Sequence, residues 1–184
     1  MGMAASIPYF TVDELDGFPD DGNRYELLDG VLLVTPAPSH LHQVIATRLA
    51  IALSSAPGAR VVNPGVVPDP PRTQLEPDVL VYPARFAVNA PWVGITEHWL
   101  AVEIYSASSK IYDRDFKRAE YARRGVLEVW LVDTDERTVA VHRIDGTSEL
   151  KRDRIAWTIP EGGGTRVIEL EWLFEGVDAA EDRI

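Results

Sequence analysis

The chain has 184 residues, enough for one well-buried domain and too few for two comfortable ones. A hydrophobic share of 46% with five tryptophans supplies a core, and the lack of cysteine excludes disulfides, thiolate zinc sites and thiol nucleophiles. A net charge of −11 argues against a surface that holds nucleic acid everywhere, because phosphate binding needs Lys and Arg to displace counterions.

No basic segment followed by an apolar one opens the chain, and no stretch approaches the roughly 20 apolar residues of a spanning helix. A cytoplasmic protein with no membrane contact is the expectation. Thr11 with Asp13 and Glu14 predicts a short helix near residues 12–16, closed by Gly17 and Pro19. Residues 25–28 and 31–34 flank Asp29-Gly30, which accepts the positive φ angles of a type I′ turn, so a hairpin is predicted. After Pro36 and Pro38, Ser39 caps a helix to about Leu53 with Leu41, Val44, Ile45, Leu49 and Ala52 at helical spacing.

Residues 60–67 are β-branched and read as one strand, 68–71 as a Pro-rich loop, and 76–82 as another strand. Residues 83–97 read as a loop or broken helix, and 99–105 as a central strand interrupted only by Glu103. A serine-rich bend then leads to a helix over 112–124, stopped by Gly125. From Lys110 to Arg124 the chain carries six bases against three acids, a local excess that also fits a solvated helix face. Strands over 127–132 and 138–143 pair around a turn, and 155–159 with 166–170 form a terminal hairpin around Gly162 to Gly164. That glycine run lacks a following Gly-Lys-Ser/Thr, so it reads as a turn and not as a phosphate loop. The acidic end, 177–184, reads as disordered.

Three carboxylates lie inside otherwise apolar strands: Glu26, Asp78 and Glu103. A buried carboxylate without a partner neutralises itself or costs several kcal/mol, so such a strand usually supplies an arginine, a lysine or a metal ion, unless the acid lies at a strand end in water. Arg24 and Arg72 are nearby bases for a purely structural pairing. Hard oxygen ligands converging from separate strands suit Mg²⁺ or Mn²⁺, and such sites handle phosphate esters.

The order Arg24-Tyr-Glu-Leu-Leu-Asp-Gly30, Pro36-Ala-Pro-Ser39 with His42-Gln43, Glu76-Pro-Asp-Val79 and Val102-Glu-Ile-Tyr-Ser106 resembles the Uma2 family (DUF820) of the PD-(D/E)XK nuclease superfamily. The segment through Asp113, Lys117, Tyr121 and Gly125 to Trp130-Leu-Val-Asp133 extends the match, which covers about 24–143 of a single domain. The resemblance implies an α/β (α+β) restriction endonuclease-like core, a mixed central sheet flanked by helices. It places the signature Pro-Asp on Pro77-Asp78, the second acid on Glu103 and an additional N-terminal acid on Glu26. It also implies a Mg²⁺- or Mn²⁺-dependent endonuclease acting on DNA, with Asp78, Glu103 and Glu26 as metal ligands; a homodimer is compatible with it.

One departure matters: Tyr105 stands where the strand lysine is usual, and Lys117 on the next helix matches the displaced lysine of similar proteins. A lysine from there can polarise the attacking water just as well, because the position of the ammonium decides. As an exposed helix lysine, Lys117 is expected to contribute little to stability. Lys110 is the rival. Ala107 departs from the usual Ser-Pro in Ser106-Ala-Ser-Ser-Lys110, and the serines read as caps and turn residues. His42 and Tyr121 are site neighbours, Tyr121 one turn beyond Lys117 where it would steady the lysine or pack. The competing reading is a catalytically silent binding module that keeps the fold, favoured by the acidic surface and Tyr105.

Overall fold

The computed structural model describes residues 9–105 and 113–177. Asp29 and Gly30 take φ of 49° and 84°, the two positive values a type I′ turn demands, and join β1 (Arg24–Leu28) to β2 (Val31–Thr35) antiparallel. Ahead of them, α1 (Val12–Leu15) is held by Glu14, whose carboxylate folds back onto the Thr11 amide at 2.7 Å. In α2 (His40–Ser54) the Ser39 hydroxyl accepts the His42 amide proton at 3.3 Å, and Ile45, Ala46, Leu49 and Leu53 form the buried stripe.

The run expected as one strand over 60–67 is divided into β3 (Ala59–Val62) and β4 (Val67–Asp69), which belong to different sheets. The break lies at Gly65, whose amide donates to the Pro77 carbonyl at 3.1 Å and whose missing Cβ would stand 2.2 Å from Leu80 Cβ. Pro68, expected in a loop, sits within β4, an edge strand where its absent N–H removes no ladder bond. The following β5 (Thr73–Leu75) was not foreseen; it completes a four-stranded antiparallel sheet in the order β2-β1-β5-β4.

The larger sheet contains β6 (Val79–Pro83), β7 (Leu100–Tyr105), β8 (Glu128–Asp133), β9 (Thr138–Arg143) and β10 (Ser148–Lys151). Its order is β10-β9-β8-β7-β6-β3, with β7 and β8 parallel and the other pairs antiparallel, so the sheet is mixed as expected. Only the parallel pair needs a crossover, and α3 (Asp113–Arg123) lies in it. That helix stops at Gly125 with φ of 77°, and Val126 returns its amide to the Tyr121 carbonyl at 3.0 Å. Between β6 and β7 the chain makes a 3₁₀ turn at Trp92–Gly94. The terminal hairpin is β11 (Arg154–Thr158) with β12 (Thr165–Glu169), followed by a short α4 (Leu170–Leu173).

Side chains alternate across the large sheet and divide the core in two. Val79, Val81, Val102, Ile104 and Trp130 face α2 and the terminal hairpin. Leu80, Ala101, Tyr105 and Leu131 pack instead with Tyr121 of α3 and with Val67 and Leu75 of the smaller sheet. Glu103 alternates with Val102 and Ile104, so it shares the second face with Ala101 and Tyr105. No helix among the described residues is long and apolar enough to cross a membrane. Lys110, the serine-rich bend around it and residues 178–184 lie outside the described residues.

Candidate active site

The register Val79↔Val102 between β6 and β7, continued by one residue, sets Asp78 opposite Glu103. Asp78 is buried just before β6, and the amide of Ile104 donates to its Oδ2 at 2.8 Å. Strand alternation also sends Arg24 and Glu26 to one face of β1, and both reach this place. Arg24 donates Nη2 to Asp78 Oδ1 at 2.8 Å and Nη1 to the Glu76 carbonyl at 2.7 Å. Glu26, fully buried, accepts the Glu76 amide on Oε1 at 2.7 Å and the Lys117 ammonium on Oε2 at 2.7 Å.

Lys117 and Tyr121 are four residues apart on α3 and therefore on one face of it. Both converge on Glu103 Oε1, the ammonium at 3.5 Å and the phenol donating at 2.5 Å. Tyr121, expected to steady Lys117 or pack, thus holds the carboxyl beside it. His42, delivered by the first turn of α2, brings Nε2 to 3.0 Å from Asp78 Oδ2. All of the expected acids, Lys117, Tyr121 and His42 are therefore gathered into one cluster. Arg24 appeared in the sequence only as a pairing base; its position two residues before Glu26 on a strand was the available signal.

Electrostatics separates the two central acids. Burial pushes the Glu103 carboxyl up to about 8, reinforced by the negative charges of Asp78 and Glu26 against the opposing pull of Lys117 and Tyr121. Burial acts upward on Asp78 too, but the hydrogen bond and charge of His42, the charge of Arg24 and the Ile104 amide outweigh it and hold Asp78 below its ordinary value. Burial, then the charges of Glu103 and Glu26, raise the Tyr121 phenol well above its usual value, so it stays a donor. Burial and Glu26 also raise Glu76.

The oxygens suit a hard divalent cation in type, since Asp78 and Glu103 offer carboxylates from neighbouring strands. Among the described residues no group of three or more His, Asp or Glu side chains stands at metal-holding geometry. Both oxygens of Asp78 and both of Glu26 already accept protein donors, whereas Glu103 Oε2 accepts none among the described residues. In donor type Asp78 and Glu103 fit a metal, because a carboxylate oxygen that accepts one hydrogen bond keeps a second lone pair; Glu26 is fully buried and its charge is matched by Lys117. An open cavity of about 460 Å³ adjoins the Arg24 side of Asp78; its lining includes Asp78, His42 and Arg24 but not Glu26, Glu103 or Lys117.

A mixed six-stranded sheet with a helix in its parallel crossover, one acid on central β7 and another just ahead of neighbouring β6, defines a restriction endonuclease-like protein of the α+β class. The chain belongs to the Uma2 family, described as "Putative restriction endonuclease", whose model matches residues 12–177. Among solved structures it is similar to that of a "putative nuclease belonging to DUF820" from Anabaena variabilis, with a TM-score of 0.70 and 20% identity over 90% of this chain and 97% of that one. At that identity the likeness shows the fold. No curated protein matches the chain.

Proposed function

We propose that the protein is a Mg²⁺- or Mn²⁺-dependent endonuclease that hydrolyses DNA phosphodiester bonds at Asp78, Glu103, Lys117 and Glu26. The observation that carries this reading is the Lys117 ammonium, 2.7 Å from Glu26 and 3.5 Å from Glu103, which restores from α3 the cation that Tyr105 cannot supply from β7. A divalent ion held by Asp78 and Glu103 would supply Lewis-acid stabilisation of the charge that builds on the phosphate. Lys117 donates protons toward the phosphate oxygen and orients the attacking water, and Glu26 fixes where the ammonium points. Tyr121 restricts Glu103 to one rotamer, and Arg24 with the Ile104 amide does the same for Asp78. Water attacks phosphorus in line, one P–O ester bond breaks, and the released strand end takes up a proton.

The test is cleavage of supercoiled and linear DNA in Mg²⁺ or Mn²⁺ by wild type, Asp78→Asn, Glu103→Gln and Lys117→Met, with chelator controls. Each substitution is expected to lower the rate by about 10²-fold or more, in line with removal of a transition-state stabiliser. Activity that survives Glu103→Gln would locate the chemistry elsewhere, and activity lost in a Lys110→Ala variant but kept in Lys117→Met would move the catalytic lysine to position 110.

A second reading, a binding module without turnover, is favoured by one observation: Arg24 with Asp78, and Lys117 with Glu26, already form ion pairs within the chain. It predicts metal or DNA binding with no cleavage of any DNA form.

A further inference from the structure

The cavity beside Asp78 has a lining that phosphate chemistry does not explain. It carries Asp16, Asp20, Glu76 and Asp78 against Arg24 and His42, so carboxylates outnumber bases and the wall attracts a free phosphate group weakly. It also carries two half-buried aromatic rings, Phe18 and Tyr25, with centroids 5.1 Å apart and planes tilted by 32°, and the side-chain amides of Gln43 and Asn63. Aromatic faces with amide and carboxylate groups around them match a neutral, planar, hydrogen-bonding ligand. A nucleobase has these properties: every base has a stacking face, and carboxylates accept from exocyclic amino groups. Its volume, about 460 Å³, lies in the range of small-molecule sites.

We infer that this cavity receives an unpaired nucleobase next to the scissile phosphate, so that the substrate class is single-stranded or locally unpaired DNA. The inference rests on the nuclease reading of Asp78, because Asp78 belongs to both the cavity wall and the acid pair. A base inside a matched duplex is stacked and paired, and cannot enter a concave pocket without leaving the helix. Extrusion costs least where the base is already unpaired, and the acidic surface supplies little phosphate attraction to offset that cost. Phe18 and Tyr25 bring aromatic surface to the cavity wall, and the contacts of Phe18 with Tyr25 at 5.1 Å and with Phe10 at 5.5 Å hold its ring in place there.

The test compares wild type, Phe18→Leu and Gln43→Ala on three labelled DNAs of one sequence: a single strand, a matched duplex and a duplex with an unpaired bulge. Cleavage is followed in Mn²⁺, and binding is followed separately by fluorescence anisotropy in chelator. Melting temperature monitors Phe18→Leu; Gln43 is exposed on α2, so Gln43→Ala provides a variant that spares the fold. The expected result is single-strand and bulge cleavage at least about tenfold faster than duplex cleavage. Single-strand binding should weaken about tenfold in Phe18→Leu and more modestly in Gln43→Ala, as loss of a stacked base requires. Equal cleavage of duplex and single strand would overturn the pocket while leaving the nuclease reading intact. Single-strand binding that depends on Phe18 and Gln43 without cleavage of any DNA would support the pocket and remove the nuclease reading. Binding unaffected by both substitutions would overturn the pocket.

Discussion

Lys117 is the residue whose environment departs furthest from expectation. It is 3% exposed, where an exposed helix lysine was anticipated, and it neutralises a fully buried Glu26. Lys117→Ala is therefore not silent in stability: breaking a buried pair by removing one partner costs roughly 3–5 kcal/mol. Replacing both partners, Glu26→Gln with Lys117→Met, should recover most of that loss in urea denaturation, and absence of coupling between the two sites would contradict the pairing. Glu103 imposes a pH dependence of its own. Its folded value of about 8 exceeds the ordinary carboxyl value of 4.5, so between these limits the folded state binds the extra proton. Its contribution to stability is complete below about 4.5 and is lost as pH rises through about 8. In metal-free buffer the urea midpoint of wild type should thus decline over this range relative to Glu103→Gln, which has no proton to lose.

At the scale of elements, two short segments position the acids. The first turn of α2 carries His42 onto Asp78, and Ser39 caps it. Ser39→Ala should cost about 0.5–2 kcal/mol in thermal or urea unfolding. Gly65 lets the segment after β3 lie directly on Leu80, two residues beyond Asp78. Gly65→Ala should destabilise by about 1–3 kcal/mol through overpacking and also lower activity by displacing β6, whereas a purely local effect would leave activity untouched. The hairpin at Asp29-Gly30, the α2 cap and the Gly125 stop were legible because each is written in adjacent residues. The division of residues 60–67 was not, because it is decided by contacts of Gly65 with Pro77 and Leu80, far along the chain. Nor was β4 legible: Pro68 signals a break locally and is acceptable only once the strand is known to be an edge.

Across the whole molecule, the three strand acids were readable because charge inside an apolar run demands a partner, but which partner each takes depends on how the two sheets meet. The acidic balance of −11 also has a global consequence. Within the basic helix segment, Arg123 and Arg124 are already paired with Glu120, and with Asp29 and Asp69. Duplex affinity measured in chelator should therefore change little between 50 and 200 mM salt, with a log–log slope shallower than about −3; a steeper slope would mean a phosphate-binding surface larger than this arrangement allows. The small sheet is fastened to the site through Arg24 and Glu26, side chains of opposite sign from one face of β1. A lineage that drifted in charge at position 24 would need an answering change at 78, and one at 26 an answering change at 117. Each pair is thus expected to change as a unit, so that β1 and its partners at 78 and 117 can vary only together.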